Sequence, residues 1–331
     1  MEDNRLNKIA AQQAQKTKSI GLDYLYLCNF GFFYGDSEET NRINFGGKNT
    51  LIYGENGSGK TTVARAIELL TKERIDSQRF EDFRNIYSKT TDDFFAEYGF
   101  TNTDNKQFVL KPDELKVPEN GYAFLEKLFL FRPVLTYKDL LKVHYSSTVS
   151  DEKINIYKLL RTVFADYEIS KGRKLSSIKN PDTYFEELKK LVNSDILKSA
   201  NAILKDFDKT FTVEKFEFLR AFADDTEKIE FVVNIEIDLK GDFSGTLPDY
   251  HNFLNEARLT ALAIALYFAS IKKMAEQAGG ETLKILVLDD LLISLDMSNR
   301  LQLLDVLKNE FTDFQTFFFT HDRHLFQLYK D

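Results

Sequence analysis

Cysteine is almost absent from this sequence, since Cys28 is the only one among 331 residues. A single thiol excludes an internal disulfide and a cysteine-based metal site, and it fits a reducing compartment. Histidine is also scarce, and His144, His251 and His324 are scattered along the chain. The sequence therefore shows neither a zinc-binding Cys/His cluster nor an HNH-like pair of histidines.

Long apolar segments are missing as well. The longest, near Thr260–Ile271, is too short to span a bilayer, and Met1–Ser19 is polar and mixed in charge, unlike a signal peptide. The formal net charge of −8 gives no general attraction to nucleic acid, although a local basic patch can still bind it. We therefore expect a soluble, cytoplasmic protein with no membrane partner.

What the chain does contain is material for a packed core. Hydrophobic residues make up 43% of it, and thirty residues are phenylalanine. This composition is typical of a globular protein rather than a disordered one, and the length allows one large domain or two smaller ones.

The most informative motif is the segment Gly54–Thr61, which matches the phosphate-binding pattern G-x-x-x-x-G-K-[ST]. The apolar residues Thr50–Tyr53 before it predict a strand, and Thr62–Leu70 after it has helical spacing. Backbone N–H groups of such a loop wrap phosphates, the lysine reaches the β and γ oxygens, and the hydroxyl ligates Mg²⁺. The sequence therefore predicts a site for a nucleoside triphosphate, built from Gly54, Glu55, Asn56, Gly57, Ser58, Gly59, Lys60, Thr61 and Thr62.

A second group of motifs lies near the other end of the chain. The run Ile285–Asp289 is apolar until its final carboxylate, which predicts a strand buried on both faces at the centre of a mostly parallel sheet. Asp289 at its end can hold Mg²⁺ beside Thr61, and Asp290 can point toward the water that attacks the γ-phosphate. A further strand at 316–319 leads to His321, which can hydrogen-bond a γ-phosphate and sense its loss.

These motifs together resemble the head of an ABC-type ATPase, in the clade of the SMC and RecF proteins and the coiled-coil repair ATPases. The match covers about 19–70 and 229–331. It implies an α/β P-loop NTPase fold, with a mixed central sheet, flanking helices and an insert between two lobes. It also implies that Asp289 is the Walker B acid, that Asp290 stands where the catalytic Glu is usual, that Asp296 belongs to the D-loop, and that His321 is the switch histidine.

The resemblance also predicts how the chain is divided. Residues 1–18 form a polar tail, 19–149 the N-terminal lobe with the P-loop, 150–226 a helical insert, and 227–331 the C-terminal lobe. The insert is predicted to hold two or three antiparallel helices, because apolar residues recur three and four apart and glycine is nearly absent. Its basic residues indicate a solvated face or, alternatively, a nucleic-acid contact; they are Lys158, Arg161, Lys171, Arg173, Lys174 and Lys179.

The ABC signature, usually Leu-Ser-Gly-Gly-Gln, is replaced by Leu254-Asn255-Glu256-Ala257-Arg258. Asn255 can serve as a helix N-cap and as a hydrogen-bond donor to a phosphate across a dimer interface. Arg258 either contacts the γ-phosphate in trans, as an arginine finger does, or forms a surface salt bridge.

Two departures from the family pattern bear on catalysis. Asp290 is one methylene shorter than Glu, and a misplacement of about 1 Å can cost on the order of 100-fold in rate. The Q-loop has two candidates, Gln78 and Gln107, and neither lies clearly at a strand end. We therefore expect slow, Mg²⁺-dependent hydrolysis of ATP.

The degenerate signature, the pair Asp289-Asp290 and the segment Thr320–Arg323 also resemble ATPase subunits of bacterial anti-phage and abortive-infection systems, in which an ABC head commonly regulates a toxic effector. Three functional hypotheses follow from these resemblances. The first is an ATPase that forms a head-to-tail homodimer on ATP and regulates a separate effector, such as a nuclease or toxin, in bacterial anti-phage defence. The second is a DNA-repair or DNA-binding ATPase of the RecF or SMC type. The third is the nucleotide-binding subunit of a transporter, which the weak signature and the long gap between motifs disfavour.

Overall fold

The computed structural model describes residues 19–72, 74–116, 121–128, 130, 133–136, 156–222, 229–239, 243–247, 254–291 and 297–330. The strands are β1 (Gly21–Cys28), β2 (Arg42–Asn44), β3 (Thr50–Tyr53), β4 (Phe95–Thr101), β5 (Gln107–Leu110), β6 (Val134–Thr136), β7 (Glu168–Ser170), β8 (Arg173–Lys174), β9 (Thr212–Phe222), β10 (Ile229–Leu239), β11 (Phe243–Leu247), β12 (Ile285–Asp289) and β13 (Gln315–Thr320). The helices are α1 (Glu38–Asn41), α2 (Lys60–Leu69), α3 (Ser77–Glu81), α4 (Ala123–Glu126), α5 (Ile156–Val163), α6 (Pro181–Leu191), α7 (Leu197–Phe207), α8 (Glu256–Ala278), α9 (Met297–Glu310) and α10 (Arg323–Lys330).

The described residues fall into two compact units. The first comprises the residues up to 129 together with 279–289 and those from 311 onward, and the second comprises 130–278 and 290–310. The predicted tail at 1–18 lies outside the described residues. No described helix is both long and apolar enough to cross a membrane.

In the first unit, strands β3, β13 and β12 lie side by side in that order and run parallel. All six residues of β13 are buried, and so are the first four residues of β12. Strands with both faces covered must be apolar throughout, which is the pattern that the sequence shows at both places. The prediction of a buried parallel strand at Ile285–Asp289 is confirmed.

The first unit also contains an antiparallel sheet, in the order β2-β1-β4-β5. The buried side chain of Gln315, the first residue of β13, links this sheet to the parallel one. Its Oε1 accepts the backbone N–H of Leu22 at 2.7 Å, and its Nε2 donates to the carbonyl oxygen of Leu22 at 3.0 Å. The amide thus hydrogen-bonds both backbone groups of Leu22, whose carbonyl oxygen also accepts the backbone N–H of Gly47 at 3.1 Å.

In the second unit, α8 packs against α5 and α7, and α9 packs against α7. Residues 259–271 of α8 are all buried, so the longest apolar run of the sequence is a core helix. Strands β9, β10 and β11 form an antiparallel sheet with β10 in the middle.

Two predictions about the helical insert need correction. The predicted helical insert includes residues 212–222, but these form strand β9 and pair with β10. The remainder of the insert contains helices α5, α6 and α7, with the hairpin β7–β8 between the first two, but α6 and α7 are not the predicted antiparallel neighbours, because the π-helix Val192–Ile196 joins them end to end.

Candidate nucleotide-binding site

The P-loop connects strand β3 to helix α2, as the sequence predicts. Gly57 and Gly59 have φ angles of +84° and +88°, a left-handed conformation that glycine adopts readily. Gly54 needs to be glycine for a different reason, since a Cβ there would lie 2.3 Å from Oγ of Ser58. The loop therefore folds back tightly and delivers Lys60 to the first position of α2.

Lys60 is buried, and its ammonium group is held inside the P-loop. Its Nζ donates to the carbonyl oxygens of Gly54 at 2.6 Å and Glu55 at 3.0 Å. By contrast, Glu55–Ser58 and Thr61 are exposed to solvent. The arrangement places one fixed positive charge among exposed backbone groups, which is the chemistry that a polyphosphate requires.

A loop after β1 packs directly on the P-loop, and no local sequence pattern indicates this contact. The backbone N–H of Phe32 donates to Oγ1 of Thr62 at 3.3 Å. The ring of Phe32 lies against Gly59, where an added Cβ would approach the ring to 2.8 Å. Phe32 is nevertheless 57% exposed, so much of this aromatic side chain is accessible to solvent beside the P-loop.

The register of the parallel sheet brings three predicted motifs to one edge. Tyr53, the residue before the P-loop, pairs with Thr320, and Asp289 pairs with Phe319. The backbone N–H of Gly54 donates to the carbonyl oxygen of Thr320 at 3.2 Å. The P-loop, Asp289 and His321 therefore all follow the carboxyl ends of adjacent strands, which is where open parallel sheets bind ligands.

Asp289 and Thr61 are the oxygen donors that fit a magnesium ion at this edge. Helix α2 packs against β12, so the two residues belong to neighbouring elements. The Oδ1 atom of Asp289 is shielded from solvent, whereas Thr61 is exposed. A carboxylate and a hydroxyl, completed by phosphate oxygens and water, form the kind of ligand set in which Mg²⁺ is bound.

Asp290 has a backbone conformation that is unusual for a residue with a side chain. Its φ angle is +53°, in the left-handed region. Asp and Asn enter this region more readily than most residues, and strained positions of this kind cluster at functional sites. The turn at Asp290 ends strand β12 directly after Asp289.

His321 is exposed and follows strand β13 without an intervening residue. The next residue, Asp322, has a structural role, because its Oδ1 accepts the backbone N–H groups of His324 at 2.8 Å and Leu325 at 3.1 Å. This N-cap begins helix α10 and thereby fixes the backbone that carries His321.

The signature-like segment lies in the second unit, at the start of α8. Oδ1 of Asn255 accepts the backbone N–H of Arg258 at 3.0 Å, so its predicted role as an N-cap is confirmed. The guanidinium of Arg258 forms an ion pair with Asp208 at 2.9 Å and donates to Oγ1 of Thr210 at 3.1 Å. Of the two alternatives for Arg258, the salt bridge is the one present within this chain.

The structure gives no support for three other predicted residues of the nucleotide site. Asp296, expected in the D-loop, lies outside the described residues. Gln78 is exposed on the short helix α3, and Gln107 accepts the hydroxyl of Tyr24 at 2.8 Å in strand β5. The Q-loop is therefore still without an assignment.

Comparison with known proteins agrees with this geometry. A family model described as an AAA domain matches residues 24–315. No curated protein matches the chain.

Two solved structures of SMC heads are similar over nearly their full length. One is the Smc head bound to the C-winged helix domain of ScpA, with 15% identity, 92% of this chain and 90% of that chain covered, and a TM-score of 0.55. The other, derived from Pyrococcus furiosus, is the Smc head domain with an extended coiled coil bound to the C-terminal domain of ScpA, with 13% identity, 93% and 91% covered, and a TM-score of 0.52. At these identities the similarity shows a shared fold, and the predicted α/β P-loop head is confirmed.

Proposed function

Since this chain belongs to the AAA domain family, it is an ATPase with the fold of an SMC head, and we propose that two copies close on ATP to control a separate effector protein in anti-phage defence. One observation carries the nucleotide part of the proposal. The P-loop, Asp289 and His321 follow adjacent parallel strands at a single sheet edge.

Within this site each residue has a distinct role. Lys60 and the backbone N–H groups of the P-loop bind the β- and γ-phosphates. Thr61 and Asp289 hold Mg²⁺, which neutralises phosphate charge when it is bound. Asp290 orients the attacking water, and His321 contacts the γ-phosphate from the next strand.

The exposed ring of Phe32 supplies a surface for the purine base. It lies against Gly59, and much of the side chain is accessible to solvent. Stacking of a base on an aromatic side chain contributes about 1–3 kcal/mol. Phe32 therefore adds to the affinity for ATP without a role in hydrolysis.

The proposed dimer depends on contacts of Asn255 and Arg258 with the ATP bound to a second copy of the chain. We infer that the Asn255–Arg258 segment of one head faces the nucleotide bound to the P-loop of the other. Arg258 reaches a γ-phosphate only by releasing Asp208, so ATP competes with an ion pair inside the chain. Slow hydrolysis by Asp290 then keeps the closed state long-lived, and loss of the γ-phosphate returns Arg258 to Asp208.

Two substitutions test the nucleotide site. Lys60→Ala removes the phosphate-binding cation and should abolish ATP binding. Asp290→Asn removes the charge but keeps a residue that tolerates a positive φ, so it should bind ATP and accumulate as a dimer. Sedimentation velocity with and without ATP and Mg²⁺ measures both. If Asp290→Asn hydrolyses ATP at the parental rate, the catalytic assignment is wrong.

A second pair of substitutions tests whether Arg258 leaves Asp208 to bind the γ-phosphate of the other head. Asp208→Asn frees Arg258 and should lower the ATP concentration needed for dimerisation, while Arg258→Gln should raise it. If both substitutions leave the midpoint of the ATP titration unchanged, Arg258 does not act across the dimer.

Regulation of a partner rests on the resemblance to defence ATPases and on the insert. The similar Smc heads were solved with a domain of ScpA bound, so heads of this fold dock other proteins. We assign docking to the insert at 150–226. Co-expression with the products of neighbouring genes, followed by capture in the presence of ATP and mass spectrometry, should recover a stoichiometric nuclease or toxin-like protein.

The second candidate is a DNA-binding ATPase of the SMC or RecF type. The observation in its favour is the exposed basic face of the insert, with Arg161, Lys171, Arg173 and Lys179. It predicts that DNA stimulates ATP turnover and that stimulation falls steeply with salt. A captured homodimer that carries only DNA would favour this candidate over effector control.

A further inference from the structure

The second unit contains a cavity that has no part in the nucleotide site described above. Its volume is about 360 Å³, near the lower end of the range for small-molecule sites. Residues from α5, from the loop before α6 and from the first turn of α6 line it. The polar and aromatic members are Tyr157, Arg161, Ser176, Lys179, Tyr184 and Phe185.

The lining is positively charged. Arg161 and Lys179 contribute two cations, and no carboxylate is found among the described residues that line the cavity. Lys174, nearby in sequence, is already paired with Asp166 at 3.0 Å. Among the described residues, neither Arg161 nor Lys179 has such an ion pair, so no described carboxylate neutralises the charge of the cavity.

Hydroxyl groups lie beside these cations. Tyr157 is only 7% exposed. Burial raises the pKa of Tyr157, whereas the neighbouring Arg161 and a hydrogen bond from Tyr184 oppose that rise. Burial likewise raises the pKa of Tyr184. Both phenols therefore remain protonated at neutral pH and, together with Ser176, provide hydrogen-bonding groups next to a guanidinium.

The rest of the wall is apolar and partly aromatic, with Ala165, Ile178, Pro181 and Phe185. The rings of Tyr157 and Phe185 lie 5.5 Å apart, and those of Tyr184 and Phe185 lie 5.6 Å apart. A cavity with cations and hydroxyls beside aromatic rings suits a ligand with a phosphate and a flat ring.

We propose that this cavity binds a single nucleotide, through a phosphate held by Arg161 and Lys179 and a base placed against the aromatic wall. The nucleotide is either a free nucleoside monophosphate or one unpaired residue of a single-stranded nucleic acid. The proposal goes beyond the nucleotide site at the P-loop and does not depend on it.

The absence of tryptophan from the chain makes a local measurement possible. A Tyr184→Trp variant carries its only tryptophan in the cavity wall and keeps an N–H donor there. Combined with Lys60→Ala, which disables the P-loop, its fluorescence reports binding at the cavity. The probes are adenosine and uridine 5′-monophosphate, unphosphorylated adenosine, and a short single-stranded DNA.

We expect a monophosphate or the oligonucleotide to change the fluorescence with saturation at one site, and adenosine to bind at least tenfold more weakly. Arg161→Gln and Lys179→Gln should each weaken binding about tenfold or more, because each removes a charge-assisted hydrogen bond. The matched controls Lys198→Gln and Lys205→Gln change exposed cations on α7 that do not line the cavity, and they should leave affinity unchanged.

The outcomes distinguish a free nucleotide from a single-stranded nucleic acid as the ligand, and they can overturn the proposal. Saturation by the oligonucleotide but not by monophosphates identifies nucleic acid as the source, and the reverse identifies a free nucleotide. No saturable signal at millimolar probe, or equal weakening by Arg161→Gln and Lys205→Gln, refutes the cavity as a nucleotide site. Calorimetry on Lys60→Ala with Tyr184 intact gives the same comparison if the tryptophan variant fails to fold.

Discussion

At the scale of single residues, two glycines of the P-loop share a backbone conformation but differ in their surroundings. Gly57 and Gly59 both have φ near +85°, yet a Cβ at Gly57 meets nothing within 4 Å, whereas a Cβ at Gly59 meets Phe32 at 2.8 Å. Both alanine variants should lose about 1–2 kcal/mol of stability to the left-handed conformation. Gly59→Ala should lose more in urea unfolding, since it must also displace Phe32; equal losses would contradict this packing.

Phe32 itself provides a second prediction at this scale. Phe32→Ala should weaken ATP binding by roughly 5- to 150-fold, which corresponds to loss of about 1–3 kcal/mol of base stacking. Tyr34→Ala is the matched control, because Tyr34 is similarly exposed at 60% but its ring contacts Tyr87. Calorimetric titration with ATP compares them, and equal affinities in the two variants would remove Phe32 from the nucleotide site.

At the scale of elements, the start of helix α8 is tied to the end of α7 by the Arg258–Asp208 ion pair. Burial alone would raise the pKa of Asp208, but hydrogen bonds from Thr210 and Arg258 outweigh it and hold that pKa below its usual value. A carboxyl whose pKa is lowered by folding stabilises the protein above its unfolded pKa. This contribution is lost as the pH falls through the lowered pKa.

We therefore expect the parent and Asp208→Asn to differ in their free energy of unfolding by a constant amount near neutral pH. This difference should shrink at acidic pH, as Asp208 becomes protonated in the folded protein. Because the pair is partly exposed, its contribution should be about 1 kcal/mol or less. Urea unfolding at several pH values measures it. Asp206→Asn, which changes an exposed neighbour on α7, is the matched control.

The same elements show what the sequence could and could not predict. Strands β12 and β13 are predictable because both their faces are apolar. Strand β9 is not, because its pairing with β10 is irregular: Lys215 pairs with Glu236 and Val213 with Ile237, so Glu214 has no partner in the ladder. This bulge puts the buried residues Val213 and Phe216 three positions apart, which is also the spacing of a helix.

The candidate site likewise contains residues that the sequence predicts and contacts that it does not. Lys60, Asp289 and His321 are predictable because each is local to a strand end. The contact of Phe32 with Gly59 and the pairing of Arg258 with Asp208 join residues 27 and 50 positions apart, and no local pattern specifies either. Tertiary packing decides such contacts, as it does the left-handed backbone of Asp290.

At the scale of the whole molecule, Cys28 offers a probe of how nucleotide stabilises the first unit. It is the only thiol, it is fully buried in β1, and burial raises its pKa to about 11. A thiol reagent can therefore react only after the protein opens around β1. When opening is fast and reversible, the labelling rate follows the population of the open state.

ATP with Mg²⁺ should slow the labelling of Cys28, because a ligand that binds only the closed state stabilises it in proportion to the logarithm of its concentration over Kd. At 100 times Kd the stabilisation is about 2.7 kcal/mol, so labelling should slow roughly 100-fold. Lys60→Ala should label at the same rate with and without ATP, since the P-loop no longer binds phosphate. If the parent binds ATP by calorimetry yet shows no protection, then β1 opens independently of the P-loop. Its sheet would then be separate from the nucleotide site, despite the link through Gln315.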